Sequence, residues 1–457
     1  MKKIFLILLI LFVSIASFSQ EKSIKVLPLE DFVNLASQND TRFEEILIDE
    51  LKLKYQKTLS LPTGDFLLSI KGQYDFLFNP SDNDYENKIS LSKLFPYTGT
   101  TLAAEYDSSV SSRARNVSSE FNITFSQPIA QNAFGRNTRL LSKIIGLETE
   151  VARFQITEAY EDYLASIIQL YYNWYSAYEN VKTAQNSLNE NLKLLDNTKE
   201  RQKHKIALPV DVNKVELQVA AKKEALIALE NAYAKYLNLI KESIRHNATE
   251  ALEPTNPSVY EEVAIDFDSD YELFKTQSRT IQILNLLQNK GGLEINQYAD
   301  EILPSINIIA GYSKEGSDRD LRDSDQMAFA GLSFDWPFPS TVERARLEIA
   351  KINLEKTKLS NENIYLRLHS NLKNLNNQIA NERQLIVLAK SKIIFAQSIV
   401  EDERKNYSLG RTTLKDFIDE VNKLEDNKFN KLYHEIELKR LIVEWLRLTD
   451  NLLTKTL

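Results

Sequence analysis

Two long segments of the chain place apolar residues at alternating steps of four and three. In the first segment the apolar seam runs through Tyr160, Leu164, Ile167, Tyr171, Trp174, Tyr178, Val181, Gln185, Leu188, Leu192 and Leu195. In the second it runs through Leu368, Leu372, Leu375, Ile379, Glu382, Ile386, Ala389, Ile393, Ala396 and Val400. A seam that repeats every seven residues is typical of helices packed as coiled coils. Gln185 and Glu382 are the polar interruptions of these seams.

Each long helix is followed by a short break and a returning helix. The breaks are RQKHKIALPVDV, residues 201–212, and NYSLGRTTLKDF, residues 406–417. After the first break the seam resumes from Val212 to Ile240, and Lys222 is its one polar position. The pattern predicts two helical hairpins: 136–247 with its tip at 203–211, and 344–454 with its tip at 405–416.

Shorter segments alternate apolar and polar residues with the period of a strand. They lie within residues 66–127 and 304–338, and the clearest is FLLSIKGQYDF. Several reach about ten residues, which is the length that a tilted membrane strand needs. Residues 88–94 and 100–107 are two further candidate strands joined by FPYTG, and they either lengthen the sheet or decorate it.

The two halves of the chain repeat the same order of elements. Ile123 and Phe125 match Leu332 and Phe334 at an offset of 209 residues, and around the breaks the offset is 205 residues. The shared order of helix, strand pair, long helix, break and returning helix indicates a duplication. The predicted repeats are residues 20–256 and 257–457, and KGGLE, residues 290–294, is interpreted as a turn between helices.

The first residues have the layout of a secretory signal peptide. Lys2 and Lys3 precede an apolar run at 4–13, and Ser17 and Ser19 give a small-x-small pattern. Residues 1–19 are therefore predicted to direct export of the chain. No other stretch approaches the length of an apolar membrane helix. If the exported protein enters a membrane, the alternating strands must do so as a closed barrel.

The composition and motifs exclude several kinds of catalytic, metal and nucleic-acid-binding site. The chain contains no cysteine, which excludes disulfides and cysteine-based metal or nucleophile sites. The four histidines, His204, His246, His369 and His434, lack metal-ligand spacing, and no phosphate-binding motif is present. The net charge is −8, with basic residues interspersed among acidic ones, so no nucleic-acid partner is expected. The sequence predicts neither an enzyme nor a cofactor.

The strands impose a condition on assembly. Four strands cannot close a barrel within one chain, and an open edge in lipid leaves backbone groups unpaired at a cost of several kcal/mol each. If these strands lie in a membrane, several chains must therefore share one barrel, most simply as a cyclic oligomer.

The breaks resemble those of a known family. YSLGRTTLKDFID, residues 407–419, resembles the second periplasmic tip of the TolC-type outer-membrane efflux channels, and residues 201–212 resemble the first tip. The resemblance implies a mainly α protein with a transmembrane β-barrel. It implies a homotrimer with a 12-stranded barrel, four strands from each chain, continuous with a long α-helical coiled-coil tunnel.

The resemblance also implies a function and its partners. Such a protein is a passive exit duct in the outer membrane of a Gram-negative bacterium, with a large periplasmic portion. It serves tripartite efflux or type I secretion and couples to a periplasmic adaptor protein and an inner-membrane pump. Outer-membrane lipid surrounds its barrel.

The resemblance assigns roles to residues at the second break. Asp416 and Asp419 match the acidic rings of the pore constriction, and three copies would place six carboxylates around one axis. On the residues alone, the two aspartates are interpreted instead as helix-N-terminal acids that the macrodipole favours. Asp211 and Tyr407 match gate-tethering positions. Thr412 stands where the family has a tethering arginine, and Arg411 lies one position, or about 100°, away.

The tips are the expected contacts with the adaptor. The resemblance implies this role for Lys205, Ile206, Ala207, Leu208, Leu409 and Gly410. Lys205 replaces a family glycine, and a lysine is less permissive at positive φ. A periplasmic coiled-coil adaptor or scaffold protein of an export complex is the alternative function. It would need only one hairpin, so the duplicated hairpins and the strands favour the duct.

Overall fold

The structure is a computed structural model that describes residues 24–76, 83–111, 116–245, 251–257, 265–317, 321 and 324–453. The predicted signal peptide, residues 1–19, lies outside this range. The chain forms two compact units, each built from both halves of the sequence. The helical unit contains residues up to 46, 159–274 and from 369 onward, and the sheet unit contains 47–158 and 275–368.

The described helices confirm the two predicted hairpins. They are α1 (Leu29–Asn39), α2 (Thr41–Ser60), α3 (Arg136–Lys203), α4 (Pro209–Ser243), α5 (Phe267–Gln277), α6 (Arg279–Glu301), α7 (Thr341–Ser408) and α8 (Leu414–Leu448). The long helices α3 and α7 have 68 residues each, and their returning helices α4 and α8 have 35 each. At about 1.5 Å per residue, α3 and α7 are each roughly 100 Å long. In the described part of the chain, no helix is long and apolar enough to cross a membrane.

The interpretation of KGGLE as a turn is wrong, because residues 290–294 lie inside α6. A Cβ on Gly291 would lie 3.0 Å from a methyl carbon of Leu354 on α7. Glycine at this position therefore allows α6 and α7 to pack closely, although glycine lowers the helix propensity of α6.

The strands form two sheets. They are β1 (Ile24–Leu27), β2 (Phe66–Phe76), β3 (Asn83–Phe95), β4 (Thr100–Ser111), β5 (Asn116–Pro128), β6 (Ala251–Pro254), β7 (Ser305–Gly316) and β8 (Ser324–Asp335). A parallel pair, β1 and β6, belongs to the helical unit, where the Tyr171 hydroxyl donates a hydrogen bond of 2.8 Å to the Leu27 carbonyl. The sheet unit holds an antiparallel sheet with the order β2-β3-β4-β5-β7-β8.

The sheet has more strands than the four per chain that the family resemblance implies for the barrel. Residues 88–94 and 100–107 belong to β3 and β4, which lengthen the sheet to six strands in the described chain. The first half thus supplies four strands and the second half two, so the duplication of a strand pair does not extend to the whole sheet. Among the described residues the sheet does not close on itself and ends at β2 and β8.

The register keeps one largely apolar face across all six strands, on which Lys93 and Lys314 are the charged positions. Leu68 on β2 lies opposite Leu91, Ile123 on β5 lies opposite Tyr312, and Ile308 on β7 lies opposite Leu332. Because side chains alternate along a strand, the neighbouring residues form a polar face. Charged residues on that face are Lys71, Asp75, Asp84, Glu86, Lys88, Glu105, Asp107, Glu120, Glu315, Asp325 and Asp335.

The predicted seams form the core of the helical unit. Tyr171, Trp174 and Ile167 on α3 are fully buried, and Ile379 on α7 is also buried. The tyrosine-rich part of α3 therefore packs between helices, as its heptad positions predict.

Candidate gate region at the helix breaks

The two helix breaks have the same backbone hydrogen bonds. At the first break the amide of Ile206 donates to the Arg201 carbonyl at 2.8 Å, and the amide of Lys205 donates to the Gln202 carbonyl at 2.9 Å. At the second break the corresponding distances, 205 residues further on, are 2.9 Å from Arg411 to Asn406 and 3.1 Å from Gly410 to Tyr407. This pair of bonds defines the Schellman ending of a helix.

The left-handed residue of this ending differs between the breaks. Gly410 has φ of 70°, and Lys205 has φ of 59°. A Schellman ending requires this conformation, which glycine adopts freely and a side chain adopts at a cost of about 1–2 kcal/mol. The first tip therefore retains the geometry of the second despite the lysine in place of glycine.

Asp416 closes the N-terminus of α8. The Thr413 hydroxyl donates to Asp416 Oδ2 at 2.6 Å, the Thr413 amide donates to the same oxygen at 3.3 Å, and the Asp416 amide donates to Thr413 Oγ1 at 3.2 Å. These reciprocal bonds form a capping box. The hydrogen bonds from the Thr413 side chain and amide lower the pKa of Asp416 below its usual value of 3.8. Asp416 is thus an exposed, ionised carboxylate.

Asp211 occupies the equivalent position at the start of α4. Its Oδ2 accepts a bond of 3.2 Å from the Leu208 amide. Leu208 has no side-chain acceptor, so only this half of a capping box forms. Asp416 therefore makes the contacts of a helix-N-terminal acid, which is the interpretation that the residues alone give to Asp416 and Asp419. Asp211 makes half of these contacts. Asp419 lies one turn beyond Asp416 and is exposed.

Tyr407 makes its contacts through its ring. The guanidinium carbon of Arg201 lies 4.7 Å from the ring centroid, and the ring stacks on Phe417 with centroids 5.8 Å apart and planes 4° apart. Arg201 also donates to the Ser408 carbonyl at 3.4 Å. Arg201 and Tyr407 therefore connect the end of α3 to the end of α7.

The other predicted gate and tip residues surround these contacts. Thr412 contributes a hydrogen bond that lowers the pKa of Asp416, after the larger effect of Thr413. Arg411, Ile206, Leu208 and Leu409 are exposed, and Ala207 is partly exposed. The structure brings Asp416 and Thr412 together, whereas Asp211 and Tyr407 each have separate contacts in the described chain.

A polar connection between the hairpins was not anticipated from the sequence. Lys222 Nζ on α4 lies 2.5 Å from Glu425 Oε2 on α8, and Ser187 on α3 donates to the same oxygen at 2.6 Å. Nearby, Gln218 donates to Asn422 Oδ1 at 2.7 Å. The sequence does contain a sign of this connection, because Lys222 is the one polar position in the apolar seam of α4.

The polar interruption of the α7 seam also has a partner. Glu382 Oε2 lies 2.8 Å from His434 Nδ1 on α8, and both side chains are largely buried. Lys222 and Glu382 thus each interrupt an apolar seam where a helix of the same unit offers a polar partner. Such buried polar pairs specify which helices pair and in which register.

A cavity of about 710 Å³ lies beside the second break, between α3, α7 and α8. Its lining includes Arg201, Tyr407, Phe417, Glu425 and Lys428. The ring contacts of Tyr407 and the polar group around Glu425 border this space. The two hairpins are therefore incompletely packed beside the second break.

Comparison with known proteins identifies solved structures that have a similar fold. No protein-family profile matches the chain, and no curated protein matches it. The outer-membrane channel OprN is 13% identical, with 92% of this chain and 89% of that chain covered and a TM-score of 0.72. The outer-membrane channel CmeC of Campylobacter jejuni is 14% identical, covering 92% and 85%, with a TM-score of 0.70.

A third solved structure is the open state of the outer-membrane channel MtrE of Neisseria gonorrhoeae. It is 12% identical, covers 93% of this chain and 89% of that chain, and has a TM-score of 0.68. The chain therefore has the fold of outer-membrane channels over nearly its whole length.

Proposed function

We propose that the protein is a passive exit duct in the outer membrane of a Gram-negative bacterium, with a large periplasmic portion. The observation that carries this proposal is the two-faced sheet. Strands of 11 to 13 residues keep an apolar face and a charged face in register, and the apolar face is exposed in the single chain. A membrane barrel places lipid against the apolar face and water against the charged face, so each face meets the solvent that suits it.

We further propose that the functional unit is a homotrimer. The outer edges of β2 and β8 are unpaired in the described chain, and an open edge is not tolerated in lipid. Apolar residues seven apart on α7, at Ile352, Leu359 and Leu366, are also exposed. A second stripe with heptad spacing is what a helix needs to pack on another chain.

The proposed entrance is the gate region. Three copies of Asp416 and Asp419 around one axis would form an anionic constriction that attracts cations and repels anions. The ionised state of Asp416 and the exposure of both carboxylates support this role. The exposed tips around Lys205 and Gly410 are the proposed contacts of a periplasmic adaptor, and an inner-membrane pump would supply the energy for tripartite efflux or type I secretion.

The proposal is tested by fractionation followed by planar-bilayer recording. We expect the mature protein in the outer-membrane fraction, extracted by detergent as a trimer, with discrete single-channel currents. A monomer released from the periplasm by salt or osmotic shock would instead support the adaptor or scaffold alternative. A trimer without currents at any voltage, including in the Asp416→Ala, Asp419→Ala double variant, would contradict the duct.

A further inference from the structure

We propose that three copies of this chain close one barrel of eighteen strands, rather than the twelve expected of four strands per chain. In this arrangement β2 of one copy pairs with β8 of the next. The inference rests on the proposed trimeric duct and specifies its outer-membrane portion. It requires that β2 and β3 are part of the barrel wall and are not a hairpin folded aside.

The first support is the continuity of the sheet at β2 and β3. The β2–β3 and β3–β4 pairs run over the full strand lengths, from Phe66 opposite Lys93 to Phe76 opposite Asn83, and from Asp84 opposite Ser111 to Phe95 opposite Thr100. Alternation of apolar and polar residues stays in phase through both pairs. Because a slip of one residue would reverse the faces, this phase indicates that β2 and β3 meet the same two environments as the other strands.

The polar face of these two strands is also connected to its neighbours. Lys71 on β2 lies 3.2 Å from Glu86 on β3, and Lys88 on β3 lies 2.5 Å from Glu105 on β4. Both ion pairs are on the charged face, opposite the apolar side chains. A hairpin folded away from the wall would not need a charged face matched to that of β4.

The second support is the turn between β3 and β4, which packs on the start of α3. Gln127 donates to the Thr98 carbonyl at 2.9 Å, and Arg139 donates to the Tyr97 carbonyl at 2.9 Å. A Cβ on Gly99 would lie 2.8 Å from a ring carbon of Pro128. Gly99 has φ of 70°, so both its conformation and its surroundings require glycine. The turn is therefore a fixed part of the sheet unit.

The third support is the exposure and the direction of the two edge strands, β2 and β8. Ile70 on β2 and Leu332 on β8 are each 71% exposed, whereas Ile123 on the interior strand β5 is 39% exposed. The six strands alternate in direction, so β2 and β8 run antiparallel to each other. Their apolar residues lie on the same face of the sheet. The β8 strand of a neighbouring chain can therefore pair with β2. This pairing continues the alternation of strand direction and keeps the apolar and polar faces in line.

Eighteen strands would make a wide duct. With strands about 4.8 Å apart and tilted by about 40°, the backbone diameter is roughly 36 Å for eighteen strands and roughly 24 Å for twelve. Barrels of this larger size enclose an aqueous channel instead of being filled by side chains. The outer-membrane portion would then pass bulkier cargo than a twelve-stranded barrel, and the narrow point of the pathway would lie elsewhere.

Disulfide cross-linking tests the pairing, since the native chain has no cysteine. Ser69→Cys on β2 is combined with Met327→Cys, Phe329→Cys, Gly331→Cys or Ser333→Cys on β8. This range of positions allows for the stagger between barrel strands. All five positions lie on the polar face, and paired strands bring Cα atoms within disulfide reach. We expect at least one combination to give covalent trimers in outer-membrane vesicles.

The matched control is Ala103→Cys on β4 with the same four β8 positions. In an eighteen-stranded barrel β4 lies between β3 and β5 and cannot reach β8 of another copy, so no cross-link is expected. In a twelve-stranded barrel β4 is the edge, and Ala103→Cys would cross-link while Ser69→Cys would not. Cross-links from Ala103→Cys, or twelve strands counted in an electron cryomicroscopy map of the trimer, would overturn the inference.

The proposed duct can fail separately from this inference. Blue-native electrophoresis of the cysteine-free protein from outer membranes reports the trimer independently of any cross-link. A membrane trimer in which no Ser69→Cys combination cross-links and the map shows twelve strands overturns the barrel size alone. A chain that is neither trimeric nor in the outer membrane overturns the duct and the barrel together.

Discussion

Lys222 on α4 and Glu425 on α8 form an ion pair of 2.5 Å that joins the two helical hairpins within the helical unit. Their side chains are 16% and 10% exposed, and the same carboxylate oxygen accepts a hydrogen bond of 2.6 Å from Ser187. One carboxylate thus holds residues from α3, α4 and α8 together. Shielding from water makes such a pair sensitive to the loss of either member.

The first prediction concerns this pair. Lys222→Met leaves the Glu425 carboxylate shielded without its counter-charge, and breaking a buried pair costs about 3–5 kcal/mol, somewhat less at this partial exposure. We expect a lower thermal unfolding midpoint of the detergent-extracted protein. The exposed neighbour Lys223→Met should leave the midpoint unchanged.

The double variant Lys222→Met, Glu425→Leu separates charge pairing from packing. Replacing both members by apolar residues removes the unpaired charge, so the midpoint should return to near that of the native protein. An equal loss of stability in Lys222→Met and in the double variant would show that the ion pair does not join the hairpins.

The polar interruptions also show how far the sequence predicts the structure. Heptad periodicity predicted α3, α4, α7 and α8 because a buried seam constrains residues at every turn. It marked Lys222 and Glu382 as exceptions but could not name Glu425 and His434, because partners on another helix depend on the relative rotation of the helices. The sequence pattern of β3 and β4 identified strands. Whether they joined the sheet depended on the docked turn at Gly99, which local periodicity does not encode.

The site was predictable to a similar degree. The offset of 205 residues identified the two breaks as equivalent, and their hydrogen bonds confirm this. The contact of Arg201 with Tyr407 was not predictable, because these residues are distant in sequence and their contact is through the ring face. The pore role of Asp416 and Asp419 depends on the arrangement of several chains and stays a prediction.

The second prediction compares the two left-handed residues. Lys205→Gly should relieve a backbone cost of about 1–2 kcal/mol, offset in part by the greater freedom of glycine in the unfolded chain. Gly410→Ala should impose a similar cost at the second tip. Thermal midpoints should therefore rise for Lys205→Gly and fall for Gly410→Ala. A fall for Lys205→Gly would mean that the lysine side chain stabilises the tip more than its conformation destabilises it.

The third prediction concerns Tyr407. Its described contacts, with Arg201 and Phe417, are made by the ring, so Tyr407→Phe should leave channel opening unchanged. Arg201→Gln removes the cation from the ring face, an interaction of about 0.5–2 kcal/mol, and should increase the open probability in planar bilayers. Arg404→Gln, at a more exposed residue that lines the same cavity, is the control. A large effect of Tyr407→Phe would show that the hydroxyl makes the tether implied by the family resemblance.

The fourth prediction separates the two aspartates. Asp419→Asn removes one carboxylate per chain without touching the capping box, so it should lower cation selectivity and block by divalent cations at native stability. Asp416→Ala removes both a carboxylate and the Asp416 half of the capping box, so it should lower selectivity and also lower the thermal midpoint. Reversal potentials and thermal midpoints distinguish the effects. Unchanged reversal potentials in both variants would exclude these residues from the constriction.

The fifth prediction follows the pKa of Asp416. Hydrogen bonds from Thr413 lower this pKa below 3.8 in the folded protein. A lowered folded-state pKa means that the capping contribution is fully present above the unfolded-state pKa and is lost as the pH falls through the folded-state pKa. The proposed constriction should accordingly keep its Asp416 charge at a pH where an ordinary aspartate is already half protonated.

This prediction is best measured in an Asp419→Asn background, where Asp416 is the remaining carboxylate of the proposed constriction. Thr413→Val removes the hydroxyl that donates to Asp416, so the midpoint for acid loss of cation selectivity should move to higher pH. Thr412→Val should shift that midpoint less, because its hydrogen bond has the smaller effect on the pKa of Asp416. Equal midpoints with and without the Thr413 hydroxyl would mean that the selectivity loss reports some carboxylate other than Asp416.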